Sequence, residues 1–145
     1  MKKLVMQLIL IVLVTVACGS GGRAGQAETA EGLKVGEKTY TQADLAALPA
    51  AQATFKDVVY TGIPVTALME DAGYATSDLK AVKAVAADGY TVNYDLSQIE
   101  KPNVIVSYAQ ADGPLTEEDG QFRMVLPDEE GKMNVRMLVE LQAVQ

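Results

Sequence analysis

The sequence has 145 residues, which favours a single domain, and 49% of them are apolar, enough to form a hydrophobic core. Its formal net charge of −7, from 12 basic and 19 acidic residues, disfavours nucleic acids and anionic lipid surfaces as partners of the folded part. It contains no histidine and one cysteine, Cys18, which excludes an intramolecular disulfide, a Ser-His-Asp triad, a Cys-His pair, a His-ligated haem and the usual zinc sites.

Residues 1–17 have the pattern of an export signal, in which two lysines precede an apolar run that ends at Val16. The run is too short for a comfortable membrane-spanning helix. Its ending, Val-Thr-Val-Ala before Cys18, resembles a bacterial lipoprotein box, in which Cys18 becomes the lipidated first residue. The alternative is an ordinary signal peptide with an incidental cysteine. The lipoprotein interpretation predicts an extracytoplasmic protein anchored to a membrane through Cys18.

Residues 18–32 form a predicted tether, because they are rich in glycine and show no apolar periodicity. A flexible chain of this length spans roughly 20 Å. Residues 33–145 form the predicted folded domain. It begins with a hairpin of two strands, 33–35 and 38–40, and a helix over 42–48 that Thr41 can cap.

The next segment is predicted to contain a strand, a turn and a helix. Residues 53–60 alternate loosely, which favours one strand, and residues 61–63 are interpreted as a turn. Pro64 suits the first turn of a helix that runs to about Ala72 with one apolar face. Gly73 is predicted to end this helix in a left-handed conformation.

The central stretch of the domain is predicted to be a hairpin. Its arms are Ala81–Ala87 and Tyr90–Leu96, and an Asp88-Gly89 pair between them is a strong turn signal. Both arms are apolar enough for us to expect them inside a sheet rather than at its edge.

The C-terminal part is predicted to add further strands. Residues 96–99 form at most one helical turn, and residues 104–109 and 122–126 have the pattern of short strands. The segment 133–144 is predicted to carry a final strand. The acidic run 117–119 is interpreted as a solvated loop.

Several of these segments match one known domain in order and rough spacing. The segment 60–73 fits the pattern G-[VI]-P-[LV]-x-x-L-L-x-x-A-G, residues 87–90 fit a "DGY" hairpin, and residues 120–127 fit G-x-[LF]-R-[LM]-V-x-P. From 33 to 144 the chain thus resembles the sulfite oxidase-type molybdopterin-binding domain. The resemblance implies a single mixed α/β domain with a mixed sheet and short helices, and an oxidoreductase with a molybdopterin-type cofactor.

One departure from the family bears on function. In the family a cysteine thiolate ligates molybdenum and lies before the G-[VI]-P segment. Here residues 53–60 run into that segment with no cysteine and little room for the ligand loop, and no other side chain supplies a soft thiolate. The family's histidine before the glycine is Asp119. The resemblance therefore implies a degenerate member that keeps the fold and has lost the metal ligand.

Four residues are candidates for cofactor binding: Arg123, Lys132, Tyr90 and Asp88. Arg123 can bind a phosphate or carboxylate, or instead pair with Asp88 or one of residues 117–119. Lys132 follows a glycine in a loop that lies near the cofactor in the family, or is simply solvated. Asp88 is alternatively only a turn residue. No catalytic and no metal-ligating residue is predicted.

Tyr90 has two interpretations, because Tyr90 and Tyr94 lie four residues apart on one strand and face the same side. They can flank a planar ligand, or they can seal an edge of the core.

Three functions remain open at this stage. The first is a non-catalytic member that binds a pterin-like or other small anionic molecule, or assists a redox partner protein. The second is an active molybdopterin-dependent oxidoreductase without a cysteine ligand. The third is a structural protein-interaction module.

Overall fold

The structure is a computed structural model that describes residues 32–145. The predicted export signal, the lipidation site Cys18 and residues 19–31 of the predicted tether lie outside the described residues. Within residues 32–145, no helix is long and apolar enough to cross a membrane.

In residues 32–145 the chain forms ten strands and three short α-helices. The strands are β1 (Leu33–Val35), β2 (Lys38–Tyr40), β3 (Ala51–Phe55), β4 (Val58–Pro64), β5 (Ala81–Ala86), β6 (Thr91–Asp95), β7 (Ile105–Gln110), β8 (Gly113–Pro114), β9 (Arg123–Val125) and β10 (Leu138–Val144). The helices are α1 (Gln42–Ala46), α2 (Val65–Asp71) and α3 (Leu96–Ile99), and two 3₁₀ turns cover Thr76–Asp78 and Gly131–Met133.

The strands form two five-stranded sheets. The first sheet has the order β2-β1-β10-β5-β6, in which β1 and β10 are parallel and the other neighbours are antiparallel. The second has the order β3-β4-β7-β8, and β9 also pairs with β7. This arrangement confirms the predicted mixed α/β fold with a mixed sheet and short helices.

The main hydrophobic core joins both sheets to α2, with side chains such as Val35, Met69 and Met124 fully buried. Successive residues of a strand point to opposite faces, so the second sheet also has an outer face. There a smaller buried cluster contains Ala53, Tyr60, Ile105 and Val125. The candidate site is lined by residues of both sheets and of the loop that precedes β10.

Local patterns predicted several elements correctly. Thr41 begins α1 with a capping box, because its hydroxyl accepts a hydrogen bond from the Asp44 backbone while the Asp44 carboxylate accepts one from the Thr41 backbone. The helix after Pro64 buries Val65, Leu68 and Met69, and Gly73 follows it with a φ of 99°. The β1–β2 hairpin and the one-turn helix α3 are also present.

The prediction of one strand over residues 53–60 is wrong. The backbone turns at Lys56 and Asp57, with φ angles of 48° and 64°, and this pair joins β3 to β4 as a tight hairpin. The predicted turn at 61–63 is also wrong, because these residues continue β4. Gly62 lies so close to β7 that a Cβ added to it would be 2.1 Å from the Val106 carbonyl oxygen. The glycine therefore marks a close backbone approach rather than a turn.

Two other predictions need correction, and the structure defines the start of the final strand. The second arm of the central hairpin, β6, is the last strand in the order of the first sheet and therefore lies at its edge. Its alternate residues are exposed, so only one of its faces is buried. The segment 133–144 carries the final strand as predicted, and the strand begins at Leu138, after a 3₁₀ turn and a left-handed residue, Met137. Asp119 is not solvated but buried, because it pairs with an arginine.

Candidate functional site

A pocket of about 330 Å³ opens where three segments of the chain meet. They are the β3–β4 turn, the tip of the β5–β6 hairpin and the loop 131–136 that precedes β10. The side chains and backbone that line it are Phe55, Lys56, Ala86, Asp88, Tyr90, Arg123, Gly131, Lys132, Asn134, Val135 and Arg136. The lining includes all four predicted candidates, Arg123, Lys132, Tyr90 and Asp88.

Two tyrosines of β6 and its turn hold the loop wall of the pocket in place. The Tyr90 hydroxyl donates to the Lys132 carbonyl oxygen at 3.0 Å, and the Tyr94 hydroxyl donates to the Met133 carbonyl. Tyr94 is fully buried and cannot stack on a ligand. Tyr90 is 46% exposed and lines the pocket. Of the two predicted flanking tyrosines, only Tyr90 is therefore available to a ligand.

The amide of Asn134 fixes the other side of the same loop. Its oxygen accepts from the Leu126 backbone N–H at 2.7 Å, and its nitrogen donates to the carbonyls of Leu126 and Glu130 at 3.2 and 3.1 Å. Asn134 is 3% exposed, so this contact replaces the strand pairing that the loop lacks. Asn134 was not among the predicted candidates, because nothing in the neighbouring sequence distinguishes it from a turn residue.

Arg123 is buried beneath the pocket, with 3% of its surface exposed. Its Nη1 donates to Asp119 Oδ1 at 2.6 Å and to the Tyr60 hydroxyl at 2.9 Å, and its guanidinium lies 4.6 Å from the centroid of the Tyr60 ring. Of the partners that the sequence left open for Arg123, the structure contains Asp119, the last residue of the acidic run 117–119. The charge of Arg123 is thus compensated inside the protein.

Two exposed cations stand on the rim of the pocket. Lys132 Nζ lies 2.9 Å from a carboxylate oxygen of Glu130, and this hydrogen bond raises the pKa of Lys132 and lowers that of Glu130. Arg136 Nη1 lies 3.2 Å from Glu118 and its Nε lies 3.5 Å from Asp119. The ion pairs of Lys132 with Glu130 and of Arg136 with Glu118 are highly exposed, and such pairs contribute little to stability.

Asp88 acts in the turn of the central hairpin. One of its carboxylate oxygens accepts a hydrogen bond from the Tyr90 backbone N–H at 2.9 Å, while Gly89 has a φ of 88°. This is the local bond that makes Asp favourable in turns. Asp88 therefore lines the pocket and also stabilises the backbone of the hairpin turn.

Lys56 is a second pocket residue that was not predicted from the sequence. A Cβ placed on Gly131 would lie 3.7 Å from Lys56 Nζ, so the ammonium reaches across the pocket from the β3–β4 turn. Among the described residues no carboxylate oxygen lies within ion-pair distance of it, and its Nζ lies 5.5 Å from the centroid of the Phe55 ring. An Asn-Gly pair would have signalled the turn, but Lys-Asp does not.

The backbone at Lys56 is strained. Lys56 and Asp57 both have positive φ, as in a type I′ turn, although neither is a glycine or an asparagine. The left-handed conformation costs an L-residue with a Cβ roughly 1 to 2 kcal/mol. The strained residue, Lys56, is also the pocket cation that has no carboxylate partner among the described residues.

The donor atoms of the pocket do not fit the metal centre that the family resemblance implies. They are amines, guanidinium groups, an amide, a phenol and one carboxylate, and residues 32–145 contain no cysteine. In the same residues no group of three or more Cys, His, Asp or Glu side chains is placed to hold a metal ion. The segment directly before Gly62-Ile63-Pro64 contains no cysteine and forms the β3–β4 hairpin, with its two-residue turn at Lys56 and Asp57.

Comparisons with known proteins agree with this fold. A family model described as "Oxidoreductase molybdopterin binding domain" matches residues 10–145. The structure is similar to the sulfane dehydrogenase SoxCD from Paracoccus pantotrophus, with a TM-score of 0.62 and 19% sequence identity. The similarity covers 73% of this chain and 34% of that chain, so this chain spans about a third of that protein's length, and at this identity it concerns the fold alone. No curated protein matches the sequence.

Proposed function

The chain belongs to the oxidoreductase molybdopterin binding domain family, and we propose that it is a non-catalytic member that binds a small anionic molecule in the pocket beneath the β3–β4 turn. The observation that carries this proposal is the ammonium of Lys56, which lines the pocket and has no carboxylate partner among the described residues. The same residues contain no cysteine that could ligate a metal. An ammonium repels a metal cation and attracts an anion.

The charge balance of the pocket supports an anionic ligand. Its lining contains four cationic side chains and one carboxylate, that of Asp88. Three of the cations have carboxylate partners outside the lining, and Lys56 has none among residues 32–145. At about 330 Å³ the pocket is at the small end of ligand sites, which measure roughly 300 to 1,000 Å³.

The proposal includes a location. The export signal at 1–17 and the lipoprotein box before Cys18 support a protein that is lipidated at Cys18 and attached to a membrane on its extracytoplasmic side. Residues 18–32 then keep the domain near the membrane surface.

Two measurements on the full chain, purified in detergent, test the function. Elemental analysis after expression in a host that makes molybdopterin should find molybdenum and tungsten far below one atom per chain. Near-stoichiometric metal would overturn the non-catalytic assignment in favour of an active oxidoreductase.

The second measurement is calorimetric titration with 6-carboxypterin and phenyl phosphate as anionic probes, and with 6-methylpterin as a neutral control. We expect saturable binding of at least one anionic probe and weaker binding of the control, because the free charge of the pocket is positive. If neither anionic probe binds, the pocket is not an anion site.

A further inference from the structure

We propose that β3 pairs with β3 of a second copy of this chain, so that the second sheets of two domains join edge to edge. The pair is antiparallel and two-fold symmetric about Ala53. It is independent of the proposed function. Three properties of β3 support it: an unpaired edge, the lack of charge, and a self-complementary order of its residues, Ala51–Phe55.

The outer edge of β3 carries backbone groups that β4 does not reach. β3 is the first strand in the order of the second sheet. The pair that closes its two-residue hairpin, Phe55 with Val58, is hydrogen-bonded, and such pairs recur at every second position of an antiparallel ladder. The N–H and C=O groups of Gln52 and Thr54 therefore point away from β4. In residues 32–145 no backbone hydrogen bond joins either residue to a segment outside this hairpin.

The other edges of the two sheets are poorer templates for pairing. β2 is three residues long and begins with Lys38, and β6 ends with Asp95. β8 has two residues and ends with Pro114, while in β9 the Met124 N–H already donates to the Val135 carbonyl. Charges, prolines, short strands and covering loops are the features that protect sheet edges from association. β3 has five residues and no charged side chain, so its edge lacks this protection.

An identical strand fits this edge on both faces of the sheet. In an antiparallel pair centred on Ala53, Gln52 lies opposite Thr54 of the second copy. Both side chains are exposed and polar, and their backbone groups are the ones that point outward. The two residues can therefore exchange N–H···O=C bonds, and the two-fold axis repeats these bonds.

The opposite face of the strand provides an apolar contact. Ala51 and Phe55 pack against the smaller buried cluster and remain partly exposed. In the same register Phe55 lies opposite Ala51 of the second copy, so a large apolar side chain meets a small one. The second copy thus covers the exposed part of the Phe55 ring, and the smaller clusters of the two domains become continuous.

The charge distribution also favours this edge for self-association. The chain has a net charge of −7, so two copies repel each other over most of their surface. β3 brings no charged side chain into the pair, and the nearest charge, Lys56, lies opposite Ala50 of the second copy. The two lysines are then six positions apart along the strands, roughly 20 Å, a separation at which salt screens exposed charges.

Light scattering of the full chain, purified in detergent and corrected for the bound detergent, tests the dimer. One strand pair is a small contact, so we expect a reversible dimer with a dissociation constant on the order of 10 μM. Thr54→Lys puts a charge on the paired edge and should weaken the dimer about tenfold or more. The matched control is Asn93→Lys, which puts the same charge at an exposed position of β6 and should dimerise like the parent.

A proline variant separates pairing from folding. The Thr54 N–H points away from β4, so Thr54→Pro removes no hydrogen bond of the β3–β4 hairpin, and an edge strand tolerates proline at such a position. We expect this variant to keep the circular dichroism spectrum of the parent and to remain monomeric. If it keeps that spectrum and dimerises like the parent, the inference is wrong.

Disulfide cross-linking tests the register. Gln52→Cys and Thr54→Cys are each combined with Cys18→Ser, mixed, and oxidised with copper phenanthroline. In the proposed pair the Cα atoms of residues 52 and 54 of different copies are about 5.5 Å apart, whereas equal residues are about 7 to 8 Å apart. A disulfide needs a separation below about 7 Å, so we expect cross-linked dimers in the mixture and few in either variant alone.

The outcomes distinguish this dimer from the proposed function. A parent that stays monomeric well above the expected dissociation constant would overturn the inference and leave the edge to another protein or to residues 1–31. A dimer that Asn93→Lys disrupts and Thr54→Lys does not would place the interface on β6 and also overturn it. Cross-links within single variants but not in the mixture would contradict the antiparallel register. Each of these results leaves the binding of anions in the pocket untouched.

Discussion

Arg123 Nη1 lies 2.6 Å from Asp119 Oδ1, and the two side chains are 3% and 5% exposed. The same carboxylate oxygen lies 3.5 Å from Arg136 Nε on the rim of the pocket, and the backbone carbonyl of Asp119 accepts a hydrogen bond from the Met137 N–H at 2.8 Å. Asp119 thus ties β9 to the loop that precedes β10. Because Asp119 neutralises Arg123, Lys56 is the pocket cation that has no carboxylate partner in the described part of the chain.

Replacing Arg123 should destabilise the fold. In Arg123→Gln the Asp119 carboxylate stays buried without its main partner, and breaking a buried pair from one side costs roughly 3 to 5 kcal/mol. We expect the free energy of unfolding, measured by urea denaturation at pH 7, to fall by about 3 kcal/mol, the low end, because Arg136 remains near.

Arg136→Gln is the matched control, since the side chain of Arg136 is 55% exposed. Its urea midpoint should remain close to that of the parent. An Arg123→Gln variant with an unchanged midpoint in the absence of ligand would show that the buried pair is not a structural element.

The sequence predicted those parts of the fold that depend on neighbouring residues. The cap at Thr41, the helix after Pro64 and the left-handed Gly73 each follow from a short-range pattern with one physical cause. The family resemblance predicted the fold class, which the structure confirms. Each of these features can be inferred without knowing which residues pack against it.

The parts that were missed depend on distant contacts. Gly62 looks like a turn residue until β7 is seen to pass against its Cα, and Asp119 looks solvated until Arg123 is seen beside it. Lys56 lies in a run of residues suited to strands, and only the pairing of Phe55 with Val58 reveals a turn there. The candidate site could therefore be predicted in its composition, with Arg123, Lys132, Tyr90 and Asp88 all on its lining, but not in its free charge.

Gly62→Ala should destabilise the second sheet. The added Cβ would meet the Val106 carbonyl oxygen at 2.1 Å and the Ser107 Cα at 2.6 Å, and both are backbone atoms that cannot rotate away. Overpacking of this kind costs roughly 1 to 3 kcal/mol, and we expect the upper end because β4 and β7 must separate. Urea denaturation measures the loss.

The control for this substitution is Gly113→Ala, because a Cβ at Gly113 would meet no atom within 4 Å. Its stability should stay near that of the parent. Equal stabilities for the two alanine variants would mean that β4 and β7 do not approach each other this closely.

The fold should lose stability at alkaline pH through Tyr94. Burial raises the pKa of Tyr94 well above its ordinary value of 10.0, whereas the unfolded chain keeps the ordinary value. Because the folded pKa is the higher one, this contribution is fully present below about pH 10 and is lost as the pH rises toward the folded pKa. Tyr40 adds to the same loss, since its pKa is also raised, by burial and by Asp71.

Urea denaturation of the parent and of Tyr94→Phe at pH 8, 10, 11 and 12 measures this effect. At pH 8 the variant should be the less stable protein, because it lacks the hydrogen bond to the Met133 carbonyl. The difference should shrink above pH 10, since phenylalanine has no proton to lose. A difference that is the same at pH 8 and pH 12 would contradict the assignment, and a further Tyr40→Phe substitution should flatten the profile more.

The last prediction concerns Cys18, which lies outside the described residues. It is the single cysteine of the chain and follows directly on the apolar export signal, where a lipoprotein box requires it. Attachment of a diacylglyceryl group needs a thiol, so Cys18→Ser should carry no lipid.

Growth of a bacterial expression host with an alkyne-tagged fatty acid should label the parent and the control Ser20→Ala, and should not label Cys18→Ser. The parent should fractionate with membranes, and Cys18→Ser should be released from them wherever its signal is removed. An unlabelled parent, or a Cys18→Ser variant labelled as strongly as the parent, would show that Cys18 is not a lipidation site.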